Sequence, residues 1–138
     1  MNLVKNQSLR LPFLITCLSG FLAVAIGAFG AHGLKETIGE RLPVFDTGSK
    51  YHFYHTIVCL VVLVSLAVQE GKPDRKILFS VWFFIIGILL FSFSLYTLAI
   101  TGQRILGAIT PLGGVCFLIG WILLGIGLYQ SFLVPKKN

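Results

Sequence analysis

Charge is scarce in this chain. Lysine, arginine, aspartate and glutamate make up 12% of its 138 residues, against ~25% in a soluble globular domain. Hydrophobic residues make up 56%. That imbalance excludes an ordinary water-solvated fold and leaves no stretch for a second, soluble domain. Short alternating strands are missing too, so an outer-membrane barrel is excluded, because the apolar runs here are continuous. Closely spaced cysteines are absent: Cys17, Cys59 and Cys116 lie on three different runs. No pair has zinc-site or redox spacing, so they read as small hydrophobic packing residues. No internal repeat appears, and with it goes the usual basis for inferring an inverted-repeat transporter. No nucleophile elbow, phosphate loop or zinc-protease motif is present. No residue is therefore assigned to catalysis, to a metal or to a cofactor.

What the chain does have is four long apolar runs, at about 11–31, 51–69, 77–100 and 108–132. A helix crosses the ~30 Å hydrocarbon core with ~20 residues. The runs predict an all-α, polytopic membrane protein: one domain over 1–138, built as a four-transmembrane-helix bundle. The net charge of +6 gathers at the ends of the runs. Without an aromatic–basic surface it points to membrane topology, not to nucleic acid. Lys5, Arg10, the first run and the small residues Ala28, Gly30 and Ala31 have the outline of a signal peptide. A signal core is only ~7–15 residues, and this run is longer, so an uncleaved first span is expected.

Small residues form two stripes. Ser19, Ala23, Gly27 and Ala31 recur every four residues in the first run; Gly113, Cys116, Gly120 and Gly127 do so less regularly in the fourth. Such stripes let membrane helices approach closely, which predicts that the first and fourth spans pack together. Between the first two runs, Leu34, Ile38 and Leu42 repeat at helical spacing among Lys35, Glu36, Glu40 and Arg41. This predicts a short amphipathic surface helix. Pro43 and then Asp46-Thr47-Gly48-Ser49 are expected to stop it and turn the chain, with Asp46, Thr47 or Ser49 capping the next helix. Trp82, Phe83 and Phe84 suit an interface belt. Thr110-Pro111 opens the last span, which is long enough to run unbroken.

Four spans place both termini on one side. That side carries Lys5, Arg10, Lys72, Arg75, Lys76, Lys136 and Lys137; the other carries Lys35, Arg41, Lys50 and Arg104. Seven against four puts both termini in the cytoplasm. The unusual polar residues then gather toward the outer end: His32, Tyr51, His55, Ser92, Tyr96 and Thr110. Polar groups inside a membrane turn toward the bundle interior, so these six form the candidate cluster. His52 and His55 are three apart and could share a metal with His32 or Asp46. The simpler reading has His55 hydrogen-bonded to Ser92 or Tyr96 and His52 at the headgroups. Ser92 and Ser94 read as helix-bonding serines, and Glu36 and Glu40 as a solvated face.

A set of motifs in order carries a family resemblance: Gly27-Ala28-Phe29-Gly30-Ala31-His32-Gly33-Leu34; Thr47-Gly48 with Tyr51 and His55-Thr56; Leu90-Phe91-Ser92 with Ser94-Leu95-Tyr96; and Ile109-Thr110-Pro111-Leu112-Gly113-Gly114 followed by Gly120-Trp121. Over nearly the whole chain this resembles the YgdD/YwdK family of small four-span membrane proteins, a domain of unknown function with mitochondrial relatives in eukaryotes. The resemblance implies a bacterial inner (plasma) membrane location and no activity, substrate or cofactor. Two positions depart from the pattern. Phe93 stands where glycine is usual, and would block close helix approach there. His52 stands where glutamine is common.

These features point first to a non-enzymatic accessory or scaffold protein that binds a membrane protein partner or lipid. A second reading is an oligomeric carrier or channel for a small solute or ion. A third is a metal- or haem-handling protein using His32 and His55.

Overall fold

The computed structural model describes residues 7–69 and 71–133. Lys5, Lys136 and Lys137 of the charge balance, and Glu70 of the second connection, lie outside them. The helices are α1 (Gln7–Phe29), α2 (Lys35–Ile38), α3 (Leu42–Val68), α4 (Arg75–Gly87), α5 (Phe93–Thr101) and α6 (Thr110–Leu133). π-helical turns at Gly30–Leu34 and Ile88–Ser92 and 3-10 turns at Gly39–Arg41 and Arg104–Ala108 join them.

Among the described residues, three helical runs are long and apolar enough to cross a membrane: Gln7–Val68, Arg75–Thr101 and Arg104–Leu133. The sequence reads as four separate runs. The difference lies in the first one, where helical turns continue from α1 through α2 into α3. That run is not straight. Ser19 of α1 hydrogen-bonds His52 of α3, 33 residues along the chain, and a straight helix would hold them about 50 Å apart. Gly39, at φ +47° and ψ −116°, sits inside the reversing segment, in a conformation that favours a residue without Cβ.

The boundary of α3 corrects the sequence reading. Pro43 does not end a helix; it sits in the first turn of α3, where no intrahelical N–H is needed. Asp46-Thr47-Gly48-Ser49 continue the helix instead of turning the chain, and no side chain caps its start. Gly48 is there for close approach: a Cβ would lie 3.1 Å from the Ser92 carbonyl and 3.2 Å from Leu95 Cβ. The expected surface helix shrinks to the four residues of α2. Leu34 and Ile38 are buried against Phe45, Tyr96 and Ala99, because α3 begins early enough to bring Phe45 under them. Pro12 likewise lies within α1. It deprives only the carbonyl of exposed Ser8 of its intrahelical partner.

The helix pairing is also corrected. α1 lies chiefly on α3, and α6 chiefly on α4; the two small-residue stripes do not meet. A Cβ at Gly113 would fall 2.3 Å from the Phe91 amide nitrogen, one at Gly120 2.6 Å from the Phe84 ring, and one at Gly127 2.5 Å from Ile77. The α6 stripe is thus filled by the Phe84 ring, by Ile77 and by the backbone at Phe91 of the α4–α5 run. Phe84 is fully buried, so it belongs to the core, not to an interface belt. Asp74 caps α4 by accepting from the Lys76 and Ile77 amides, and Lys76 Nζ donates to Gln130 of α6. α6 runs unbroken from Thr110 to Leu133.

The outer surface is apolar. Leu14, Leu18, Phe21 and Val24 on α1, and Val115, Leu118 and Ile122 on α6, each expose about half or more of their area. Contiguous exposure on that scale suits lipid as the surrounding medium, since water-soluble monomers rarely show it.

Candidate functional site

α3 is the polar centre of the bundle, and its two histidines look in different directions. His52 is fully buried. Its Nε2 lies 3.0 Å from Ser19 Oγ of α1, and its Nδ1 lies 3.1 Å from the Tyr96 hydroxyl of α5. Ser19 Oγ is also 2.7 Å from Thr56 Oγ1, one turn along α3. Thr56, Ser19, His52 and Tyr96 therefore form one hydrogen-bonded chain across three helices. The chain can run in either direction, because each hydroxyl both donates and accepts and a neutral imidazole does one at each nitrogen.

His55 faces α6. Its ring is stacked on Phe117 with centroids 3.6 Å apart and planes within 8°. Nδ1 pairs with the Tyr51 carbonyl at 2.8 Å, and Trp121 Nε1 donates to Nε2 at 3.3 Å. A carbonyl only accepts and an indole N–H only donates, so the proton sits on Nδ1. Tyr51 packs its ring against Phe91, 4.7 Å between centroids.

The six residues of the expected cluster do not converge on one site. Tyr51 and His55 share the aromatic box. Tyr96 belongs to the His52 chain, and Thr110 pairs with Ser94 at 2.8 Å, tying α5 to α6. Ser92 is fully buried, and neither its hydroxyl nor that of Thr16 has a hydrogen-bond partner among the described residues. His32 is exposed in the first π-helical turn. The expected bond from His55 to Ser92 or Tyr96 is replaced by the Trp121 bond, and it is His52 that reaches Tyr96. His52 lies in the bundle interior and not at the start of its helix, because α3 begins ten residues earlier, at Leu42. Among the described residues no three His, Cys, Asp or Glu side chains are grouped to hold a metal ion. Cys17, Cys59 and Cys116 are unpaired thiols. Of the first stripe, Ser19 joins the polar chain, Ala23 is buried, Gly27 faces Ser49 and Ala31 is exposed.

Beside the His52 chain lies a cavity of about 120 Å³. Ile15, Leu18 and Leu22 of α1 form one wall; Ile85, Ile88 and Leu89 form the other; Phe93, Ser19 and His52 complete it. Leu18 and Leu89 are more than half exposed, so the cavity opens sideways between α1 and the α4–α5 run. Ser19 lies twelve residues into α1, ~18 Å along its axis, so the polar end is near mid-helix. The two positions that depart from the family pattern, His52 and Phe93, meet here with ring centroids 5.6 Å apart. Phe93 does not hold the helices apart; close approach is made one turn away, at Gly48.

Sequence reasoning missed His52 as the buried centre and Trp121 and Phe117 as the partners of His55. Ser19 was counted for its size, although a hydroxyl in a membrane helix also signals a bonding partner at the same depth.

Comparison with known proteins follows the same division between architecture and activity. A family model described as a protein of unknown function, DUF423, matches residues 26–114, more than half of the chain. A UPF0382 membrane protein of Haemophilus influenzae is 46% identical over 93% of this chain and 98% of its own length. The UPF0382 membrane protein YwdK of Bacillus subtilis is 42% identical over 84% and 94%. The UPF0382 inner membrane protein YgdD of Escherichia coli is 38% identical over 86% and 88%. No solved structure matches. An all-helical chain with a lipid-suited surface, matched nearly end to end by proteins of this kind, is a membrane protein and belongs to the DUF423 (UPF0382) family.

Proposed function

We propose that this protein crosses the plasma membrane four times, with both termini in the cytoplasm, and binds a lipid-phase molecule or a membrane partner without chemically transforming it. α1, α3, the α4–α5 run and α6 hold 23, 27, 27 and 24 residues, each enough for a ~30 Å core. The basic-residue balance supports the orientation, and the Escherichia coli relative's inner-membrane description supports the location.

The observation that carries the binding reading is the lateral cavity. Its walls are apolar, its mouth opens between exposed Leu18 and Leu89, and its polar end is near the middle of α1. Both histidines have their ring nitrogens engaged by protein groups. Their arrangement supports a role in locking the bundle around that cavity.

The test is the native mass of the full chain extracted gently from its own membrane. A lipid-sized increment on the chain mass is the expected result, and a larger foreign increment would identify a protein partner. A simple multiple of the chain would move the reading to an oligomeric carrier. A bare chain that takes up nothing on return to native lipid would overturn it. Labelling of single cysteines introduced at Lys35 and Lys72 checks the topology: only the second should react from the cytoplasmic side.

A further inference from the structure

We infer that the lateral cavity is a site for a membrane-dissolved phenol-type ring, held by a hydrogen bond between its hydroxyl and Ser19. This rests on the binding reading above and names the ligand class. Three observations carry it.

The first is a valence count at Ser19. A serine hydroxyl donates once and accepts twice. Its two partners in the chain are His52 Nε2 and Thr56 Oγ1. Where the chain runs through Ser19, this hydroxyl donates to one and accepts from the other, which leaves one lone pair; where both partners donate to it, its own proton is left over instead. His52 has both ring nitrogens engaged. The free capacity at the polar end is thus one lone pair or one proton, and a ligand hydroxyl, which both donates and accepts, satisfies either. An ether, ester or ketone, which only accepts, does not meet the first.

The second is depth. Ser19 is near the middle of α1, and the mouth is rimmed by exposed Leu18 and Leu89. A solute arriving from water would have to shed its hydration in hydrocarbon, which is costly for polar groups. The occupant therefore comes from the lipid phase and is apolar apart from its donor.

The third is shape. The cavity holds about 120 Å³, close to the ~150 Å³ of an engineered apolar cavity that takes up benzene. The rings of His52 and Phe93 flank the polar end. Two flat side chains favour a flat guest, since aromatic pairs gain beyond their buried area. A substituent on the ring would leave through the open mouth into lipid.

The full chain in lipid nanodiscs tests this with three probes: para-octylphenol, its methyl ether, and decanol, each measured against empty nanodiscs. The phenol is expected to saturate at one per chain, and the ether to bind about tenfold more weakly for want of a single hydrogen bond. Ser19→Ala should reduce the phenol to the level of the ether. Leu89→Trp, a change at an exposed rim residue that leaves the hydrogen-bonded chain intact, should abolish both. Equal binding of phenol and ether would overturn the hydroxyl assignment, and equal binding of decanol the ring assignment. No saturable binding above empty nanodiscs would overturn the site. A lipid increment in the native mass alongside any of these failures would leave the broader binding reading standing, so the two are separately refutable.

Discussion

The α4–α6 and α1–α3 contacts are built on opposite principles. Between α4 and α6, glycines receive rings: Gly120 takes Phe84, and Gly87 takes Phe117. The seam is dry, and its one side-chain hydrogen bond, Lys76 to Gln130, lies at the exposed end. Between α1 and α3 the contact is a hydrogen-bonded pair of hydroxyls on a buried imidazole, with a cavity alongside. In lipid, apolar side chains gain little by meeting one another, so close packing and interhelical bonds must hold the helices together. One contact uses the first means and the other uses the second. The one that uses bonds is less completely filled, and the cavity lies beside it.

The largest effect is expected where the dry seam continues beyond α4, at the contact of α6 with the Ile88–Ser92 turn. A Cβ at Gly113 would sit 2.3 Å from a backbone nitrogen, that of Phe91, and 2.8 Å from the Leu90 carbonyl carbon. No rotamer relieves a backbone clash. Gly113→Val should cost about 3 kcal/mol or more, the upper end of overpacking, read as loss of the folded species in detergent unfolding. Next comes the bonded contact. His52→Ala takes one partner from the buried Tyr96 hydroxyl and one from Ser19; removing a partner from a buried polar group costs ~1–3 kcal/mol. His52→Gln carries one donor and one acceptor on its amide and should recover about half of that loss. If Gly113→Val proved milder than His52→Ala, the ranking of the two contacts would be reversed.

Much of the fold was legible because lipid enforces it. Long apolar runs with charges at their ends leave few alternatives to membrane helices. What was misread traces to one segment. Pro43 and Asp46-Thr47-Gly48-Ser49 have the composition of a turn, yet proline is free at a helix start and Gly48 serves a helix crossing. Starting α3 at residue 51 instead of Leu42 placed His52 at the membrane surface and sent the interior role to His55. The pairing of helices was not legible either: a glycine stripe says that something approaches closely, not what. Here the partners are the Phe84 ring, Ile77 and the backbone at Phe91, all of the α4–α5 run. Tyr96 was recognisable as an interior group, but its partner followed only once the depth of His52 was known.

A smaller effect is expected in the aromatic box. His55→Phe keeps the ring on Phe117 and loses both the bond to the Tyr51 carbonyl and the bond from Trp121, together about 1–2 kcal/mol. The sharper readout is optical. With Trp82→Phe as background, Trp121 is the only indole, and releasing its N–H should shift its emission. His52→Gln in that background should leave the emission unchanged, because the two histidines serve separate groups. A common response would mean that the aromatic box and the hydroxyl chain act as one unit.

The smallest effect belongs to His32. It lies in one of the motifs that carry the family resemblance, yet it is exposed in the π-helical turn and makes no hydrogen bond to another described residue. An exposed side chain away from caps and networks contributes within about 0.5 kcal/mol. His32→Ala should therefore leave the unfolding midpoint and the phenol affinity as they are. A loss of stability as large as that of His52→Ala would place His32 inside the bundle in the membrane-embedded state. It would also restore the single outer cluster that the described geometry divides. A loss of partner mass on native extraction, with stability intact, would instead make the first π-helical turn a contact surface, separate from the cavity.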